Sequence, residues 1–132
     1  MLRQREPREQ DSAYLRWIRR QCCVACAVEG KATYPSEAAH CKLAIAEHGW
    51  RGWGLSEKSD DRKCTPLCAS HHRLRRDAQH GSRGERGFWL KLGICPACLC
   101  EALNSAYDAG QTGLEVIWTA VRRARERPTD HL

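Results

Sequence analysis

The sequence predicts an α+β fold, mostly helical, with a small irregular β element in the middle of the chain. Three observations lead there. Apolar residues recur at helical spacing near both ends, at Tyr14, Leu15, Trp17 and Ile18 and again at Leu114, Ile117, Trp118 and Val121. Helix-start signals punctuate the second half: "SRGE" at Ser82 to Glu85, Pro96, and "TGLE" at Thr112 to Glu115. The stretch between Cys22 and Leu67 is rich in turn formers and lacks that periodicity. The 132 residues fit one domain, taken as 11–132, behind a charged tail at 1–10 that is expected to be disordered.

The elements follow in order. Asp11 or Ser12 caps an N-terminal helix over 11–21, with Arg16, Arg19 and Arg20 on its polar side. "CCVACAVEGKATYPSEAAH" reads as a knuckle or short hairpin, then an extended segment near Glu37 to Lys42. "AEHGWRGWGLSEKSDD" reads as a long loop, and loops of that length in small domains are functional or mobile. "KCTPL" is β-compatible, with Pro66 marking an edge or strand end. A helix is expected from Ala69 to Gln79, ended by Gly81. C-terminal helices fill 82–127: a short one burying "FWLKL", one over Ala97 to Ala109 behind Pro96, and a last one opened by "TGLE". The last carries a basic end of Arg122, Arg123, Arg125 and Arg127.

Composition narrows the function classes. The start "MLRQREPREQD" is charged, with no apolar run behind it, and no segment approaches the ~20 apolar residues that span a bilayer. A cytoplasmic protein without a membrane partner is therefore expected. Nine cysteines, an odd number, argue against a paired disulfide framework and for metal ligands plus buried thiols. The net charge of +6, carried by 22 Lys and Arg, favours a polyanionic partner such as nucleic acid over a merely solubilising role.

Zinc takes four sulfur and nitrogen ligands in a tetrahedron, and two residues separated by two others can meet one ion from a tight turn. Cys23-x2-Cys26 and Cys68-x2-His71 are such pairs, and together they make a Cys3His site for a structural Zn2+ that staples the chain's middle closed. Cys22 is the alternative to Cys23; buried free thiols are the alternative to a site. "CPACLC" holds another pair, Cys95-x2-Cys98, whose helical context suits a knuckle less well; with Cys100 it otherwise lines a helix face. Adjacent helical side chains point about 100° apart, so if His71 takes the zinc, His72 faces elsewhere. His40, His80 and the carboxylates of Asp60 and Asp61 are candidates to join it, whereas His48 and His131 are read as ordinary histidines.

These residues resemble the HNH endonuclease superfamily. "AAH" followed by "DDRKCTPLCASHH" looks like its motif, and the order Pro66-Leu67-Cys68, His71-His72, His80-Gly81, Phe88-Trp89, Gly93-Ile94 is similar to phage and prophage HNH-type nucleases, a RecA-dependent phage nuclease among them. The resemblance covers roughly residues 20–95. It implies a ββα-metal finger over 22–81, in which a hairpin packs on a helix around one divalent ion. It implies His40 as general base, His72 at the metal, and Cys23, Cys26, Cys68 and His71 on the structural zinc. The chain departs from the pattern in two places. Lys63 or Cys64 stands where the middle asparagine is expected, and Ala39 precedes the first motif histidine. Asp61 and His80 are the candidates for the metal's second protein ligand.

The expected activity is metal-dependent hydrolysis of DNA phosphodiesters, by an endonuclease or nickase. A neutral histidine takes a proton from water and a divalent cation (Mg2+, Mn2+ or Zn2+) stabilises the charge on phosphorus and the leaving oxygen. Arg73, Arg75 and Arg76 are placed to contact flanking phosphates. Trp50 and Trp53 either stack on bases of single-stranded or distorted DNA, recombination intermediates included, or pin their loop to the core. A recombinase is the implied protein partner. The competing reading is a non-enzymatic zinc-stabilised module that binds nucleic acid.

Overall fold

A computed structural model describes residues 8–54 and 57–126; residues 1–7, Arg127 and His131 lie outside the described residues. The chain is α+β, about half helical, with one small two-stranded sheet. Helices α1 (Ser12–Arg19) and α2 (Val24–Val28) precede strand β1 (Glu37–His40), and β2 (Cys64–Leu67) follows a long connection. A π-helical turn, Ser70–Leu74, leads to α3 (Gly84–Leu92), α4 (Pro96–Asp108) and α5 (Leu114–Glu126). No described helix is long and apolar enough to cross a membrane.

Local chemistry explains the starts and stops. The Asp11 side chain accepts from Tyr14 N–H at 3.1 Å and so caps α1, whose Tyr14 and Ile18 are buried. Pro96 occupies the first turn of α4, and Gly93, at φ +78°, closes α3 in the left-handed conformation that glycine adopts without strain. β1 and β2 pair antiparallel, with His40 opposite Cys64 and Glu37 opposite Leu67. In a two-stranded sheet each strand has a free edge, so Pro66, opposite Ala38, is tolerated. The main core gathers Tyr14 and Ile18, Val24, Leu67, Phe88 and Trp89, Leu103, Ile117 and Val121. Of the stripe on α5, Ile117 and Val121 are buried while Leu114 and Trp118 stay partly exposed.

Several expectations are corrected. The helix expected over Ala69 to Gln79 is only the turn Ser70–Leu74. Arg75 N–H bonds back five residues to the Ser70 carbonyl, Arg75 itself is extended, and the chain then doubles back so that Gln79 and His80 N–H groups donate to the His71 and His72 carbonyls. Gly81 is needed for that return, because a Cβ there would run into the Arg76 carbonyl. The segment after Cys23 is helical as α2 rather than a hairpin. "SRGE" forms no capping box: Ser82 Oγ donates to the Arg76 carbonyl and Glu85 accepts from Lys42 N–H at 2.8 Å. At α5 the Gly113 carbonyl, not that of Thr112, accepts the first helical bond, from Ile117 N–H. The expected disordered tail is placed from residue 8 onward, where Arg8 and Glu9 bond to Asp61 and Asp60.

Trp50 is buried in a second, smaller apolar cluster with Cys41, Ala97 and Cys100, so its ring is not offered to a base. Trp53 is half-buried, with the Arg51 guanidinium 3.6 Å from its ring centroid. Trp50 therefore pins the loop to the core, while Trp53 stacks within the loop. Trp50→Ala is expected to destabilise by about 3–5 kcal/mol, seen as a lowered midpoint in denaturant. An unchanged midpoint would remove Trp50 from the core.

Candidate metal centre and histidine cleft

The first constellation is built by two chain segments 42 positions apart at Cys26 and Cys68. Cys23 is the N-cap of α2, and its sulfur accepts from Cys26 N–H at 3.4 Å, which turns both sulfurs toward one point. Cys68 follows β2, and the π-helical turn brings His71 round to the same point. Cys26 Sγ lies 3.7 Å from Cys68 Sγ, and His71 Nδ1 lies 3.8, 3.5 and 3.2 Å from the sulfurs of Cys23, Cys26 and Cys68. Bonds of about 2.3 Å to sulfur and 2.0–2.1 Å to nitrogen give tetrahedron edges of roughly 3.5–3.8 Å. The four buried donors are thus a group that could hold a metal ion such as zinc. Cys22 stands outside this group and its thiol bonds toward Tyr34.

Electrostatics fit a cation at that point. Burial pushes the thiols of Cys23 and Cys26 up. Burial also opposes ionisation of Cys68, but the His71 backbone and ring and the neighbouring thiols outweigh it and bring Cys68 down to about 7. Three thiolates this close and this dry ionise together only around a positive centre. His71 turns its other nitrogen, Nε2, to Glu29 Oε1 at 3.0 Å. Arg75 Nη1 lies 2.9 Å from the same nitrogen, so Glu29 and Arg75 together hold the ring by Nε2 and leave Nδ1 facing the sulfurs.

The second constellation starts at the end of β1. His40 Nε2 is 2.9 Å from Asp61 Oδ1. Asp61 is buried and fully engaged, accepting from Arg8 Nη1 at 2.7 Å and from Asp11 N–H at 2.8 Å. Burial works against its charge, yet the bonds from His40, Asp11 N–H and Arg8 hold the carboxyl below the usual range. The ionised carboxylate accepts, so Nε2 of a neutral His40 carries the proton and Nδ1 the lone pair. Burial lowers the His40 pKa from 6.5; Asp61 opposes this, while Arg8 and Lys58 reinforce it.

His72 stands in a different group. Its Nδ1 is 2.8 Å from Glu37 Oε1, and its ring centroid is 4.8 Å from that of His80. Glu37 is also clasped by Arg73, at 3.0 and 3.1 Å. Buried Gln79 ties the end of β1 to the π-helical turn: its Nε2 donates to the His40 carbonyl at 3.1 Å, while its N–H donates to the His71 carbonyl at 2.8 Å. Among the described residues, His40, Asp61, His72 and His80 do not supply three donors converging on one point. Asp61, a candidate metal ligand by sequence, is instead the partner of His40. Arg75 is paired with Glu29 and Asp77, which leaves Arg76, exposed and without an ion pair among the described residues, as the open cation of the three arginines.

Sequence reasoning missed Glu37, Glu29 and His48. Strand register decides the first, and a contact across 42 positions the second. His48, read as an ordinary residue, meets Cys95 and Cys98. A cleft of ≈ 840 Å3 between α4 and α5 is lined by residues such as Ile94, Glu115 and Arg123 and contains neither His40 nor His72. Compared with protein-family models, with curated proteins and with solved structures, the chain finds no match.

Proposed function

We propose that the protein is a metal-dependent DNA endonuclease or nickase of the HNH kind, with His40 as general base and a structural Zn2+ on Cys23, Cys26, Cys68 and His71. The observation that carries the reading is the His40–Asp61 pair. A buried carboxylate 2.9 Å from Nε2 orients a half-buried, neutral imidazole and leaves Nδ1 to take a proton from water. His40 ends one strand of the antiparallel pair, and the segment after the other strand carries His72, on a π-helical turn where a ββα-metal finger would have its helix. Gln79 ties those two parts together.

His72 and Glu37 would be two ligands of the catalytic ion; with His80 they do not form a converging three-donor group among the described residues, so water and the phosphate would complete the shell. The 2.8 Å between Glu37 Oε1 and His72 Nδ1 is close to the edge of about 3 Å in an octahedron with 2.1 Å bonds. Glu37 thus replaces Asp61 as the carboxylate at the metal, from the strand that bears Ala39 at the motif's usual acidic position. Bound Mg2+, Mn2+ or Zn2+ would supply charge stabilisation at the phosphate and the leaving oxygen. Arg76 and the surplus of +6 supply affinity for the DNA backbone. A recombinase that presents single-stranded or recombining DNA remains part of the proposal on the resemblance alone.

The test is conversion of supercoiled plasmid to nicked circle in Mg2+ or Mn2+, with DNA binding measured in parallel. Cleavage by the zinc-loaded protein supports the reading. Intact plasmid with retained, salt-dependent binding supports the second one, a zinc-stapled nucleic-acid module. That alternative is favoured by the Arg73–Glu37 ion pair, which competes with a metal for the carboxylate. A sharper check concerns Asp61. Asp61 raises the His40 pKa against burial, so Asp61→Asn moves the acid limb of the pH–rate profile to lower pH. The same change lowers the plateau rate by about 10² through loss of orientation. A profile shifted to higher pH, or unmoved, would remove Asp61 from its orienting role.

A further inference from the structure

We propose that His48, Cys95 and Cys98 hold a second zinc ion, with water in the fourth position. The three donors come from two remote places. The short antiparallel bridge between Ile45 and Trp50 carries the 3-10 turn Ala46–His48, which puts His48 at the tip of a tight loop. Cys95 is the N-cap of α4 and Cys98 lies in its first turn. His48 Nε2 is 3.9 Å from Cys95 Sγ and 3.5 Å from Cys98 Sγ, and all three donor atoms lie within 4.8 Å of one another. These spacings bracket the sulfur–nitrogen edge of about 3.5 Å in a zinc tetrahedron.

Two independent features support a metal over a chance meeting. The first is a repeated local geometry. Cys98 N–H donates to Cys95 Sγ at 3.4 Å, as Cys26 N–H donates to Cys23 Sγ at 3.4 Å. A helix start is therefore a suitable setting for a C-x2-C knuckle in this chain, contrary to the sequence expectation. The second lies on the far side of the imidazole. Glu101 Oε1 sits 2.7 Å from His48 Nδ1, so the carboxylate accepts from Nδ1–H and Nε2 presents its lone pair to the sulfurs. His71 and Glu29 make the same pairing with the nitrogens exchanged.

The site also has structural work to do. Beneath it lies the smaller apolar cluster of Cys41, Trp50, Ala97 and Cys100, which has few large side chains. An ion across His48 and the α4 knuckle would hold the Trp50 loop onto α4 where burial alone is meagre. No fourth Cys, His or carboxylate among the described residues joins the three. Cys98 is exposed, so solvent reaches the ion. The site is thus a Cys2His centre with one exchangeable position, unlike the closed Cys3His group.

Elemental analysis of the full chain, purified in reductant and dialysed after zinc saturation, should find roughly two zinc ions per chain. His48→Ala and Cys98→Ser should each lower this to about one, and His48→Cys should restore about two. Alkylation mapped by mass spectrometry on the unmutated protein provides a readout that needs no variant. Cys98, exposed by position, should resist iodoacetamide when zinc is bound and react after chelation. Zinc content unmoved by His48→Ala, or a Cys98 equally reactive with and without zinc, would each overturn the proposal. None of these outcomes bears on whether the protein cuts DNA.

Discussion

Cys26→Ser is expected to remove about one zinc and with it the cooperative fold of the chain's middle at 37 °C. Three local elements would depend on that ion. Helix α2 is five residues long, far below the length at which a helix is stable by itself. The sheet has two strands of four residues, and an isolated hairpin of that size is marginal. The π-helical turn that delivers His71 and His72 has only five residues. Structural zinc sites contribute roughly 10–16 kcal/mol of apparent binding free energy, comparable to the whole stability of about 5–15 kcal/mol for a small domain. Serine is too hard a ligand to replace the thiolate, and the remaining buried sulfurs lose the cation that lets them ionise. Helices α1, α4 and α5 share the main core, so part of the helical circular dichroism should survive while the melting transition broadens and falls. A strong zinc chelator should reproduce this in the unmutated protein. Cys22→Ser is the matched control for zinc: the residue is one position from Cys23 but outside the donor group, and it should keep the zinc, with a cooperative melt lowered only by the hydroxyl it buries in the core. Equal zinc content and melting in Cys26→Ser and wild type would end the case for the staple.

What could be read in advance was whatever a short-range rule determines. Cys23, Cys26, Cys68 and His71 were legible because each pair must itself span a tight turn, and two such pairs rarely coexist by accident. Helices α1, α4 and α5 were legible from apolar spacing and from Asp11 and Pro96. Features set by long-range hydrogen bonds were not legible. The segment Ala69 to Gln79 has helix-compatible residues throughout, yet Gln79 and His80 donate to carbonyls eight positions back, and no local propensity signals that return. The doublet Asp60-Asp61 offered two equal carboxylates. Only the placement of Glu9 N–H against one and Arg8 and Asp11 N–H against the other sends Asp61 to His40. Glu37 meets His72 because β1 pairs with β2 in one register, and a slip by one residue would turn Glu37 to the other face. His48 is separated from Cys95 by 47 positions, in a loop without periodicity.

His40→Ala is expected to lower plasmid nicking by about 10²–10⁴, the usual contribution of a positioned general base. Zinc content and DNA binding should stay as in wild type, because His40 belongs to neither the Cys3His group nor the basic surface. The fold should survive as well. Asp61 keeps two of its three partners, Arg8 and Asp11 N–H, so its buried charge is not stranded. The pH dependence separates a lost base from a disturbed site. In the wild type, the rate should fall as acid protonates His40; since burial depresses its pKa, that fall should lie below pH 6.5. In the alanine variant the residual rate should lose this limb and rise with added imidazole, which can enter the space left beside Asp61. Nicking that remains at the wild-type level would remove His40 from the chemistry. A rate that drops together with zinc content would instead assign His40 a structural role, since a base acts on the reaction without holding the finger together.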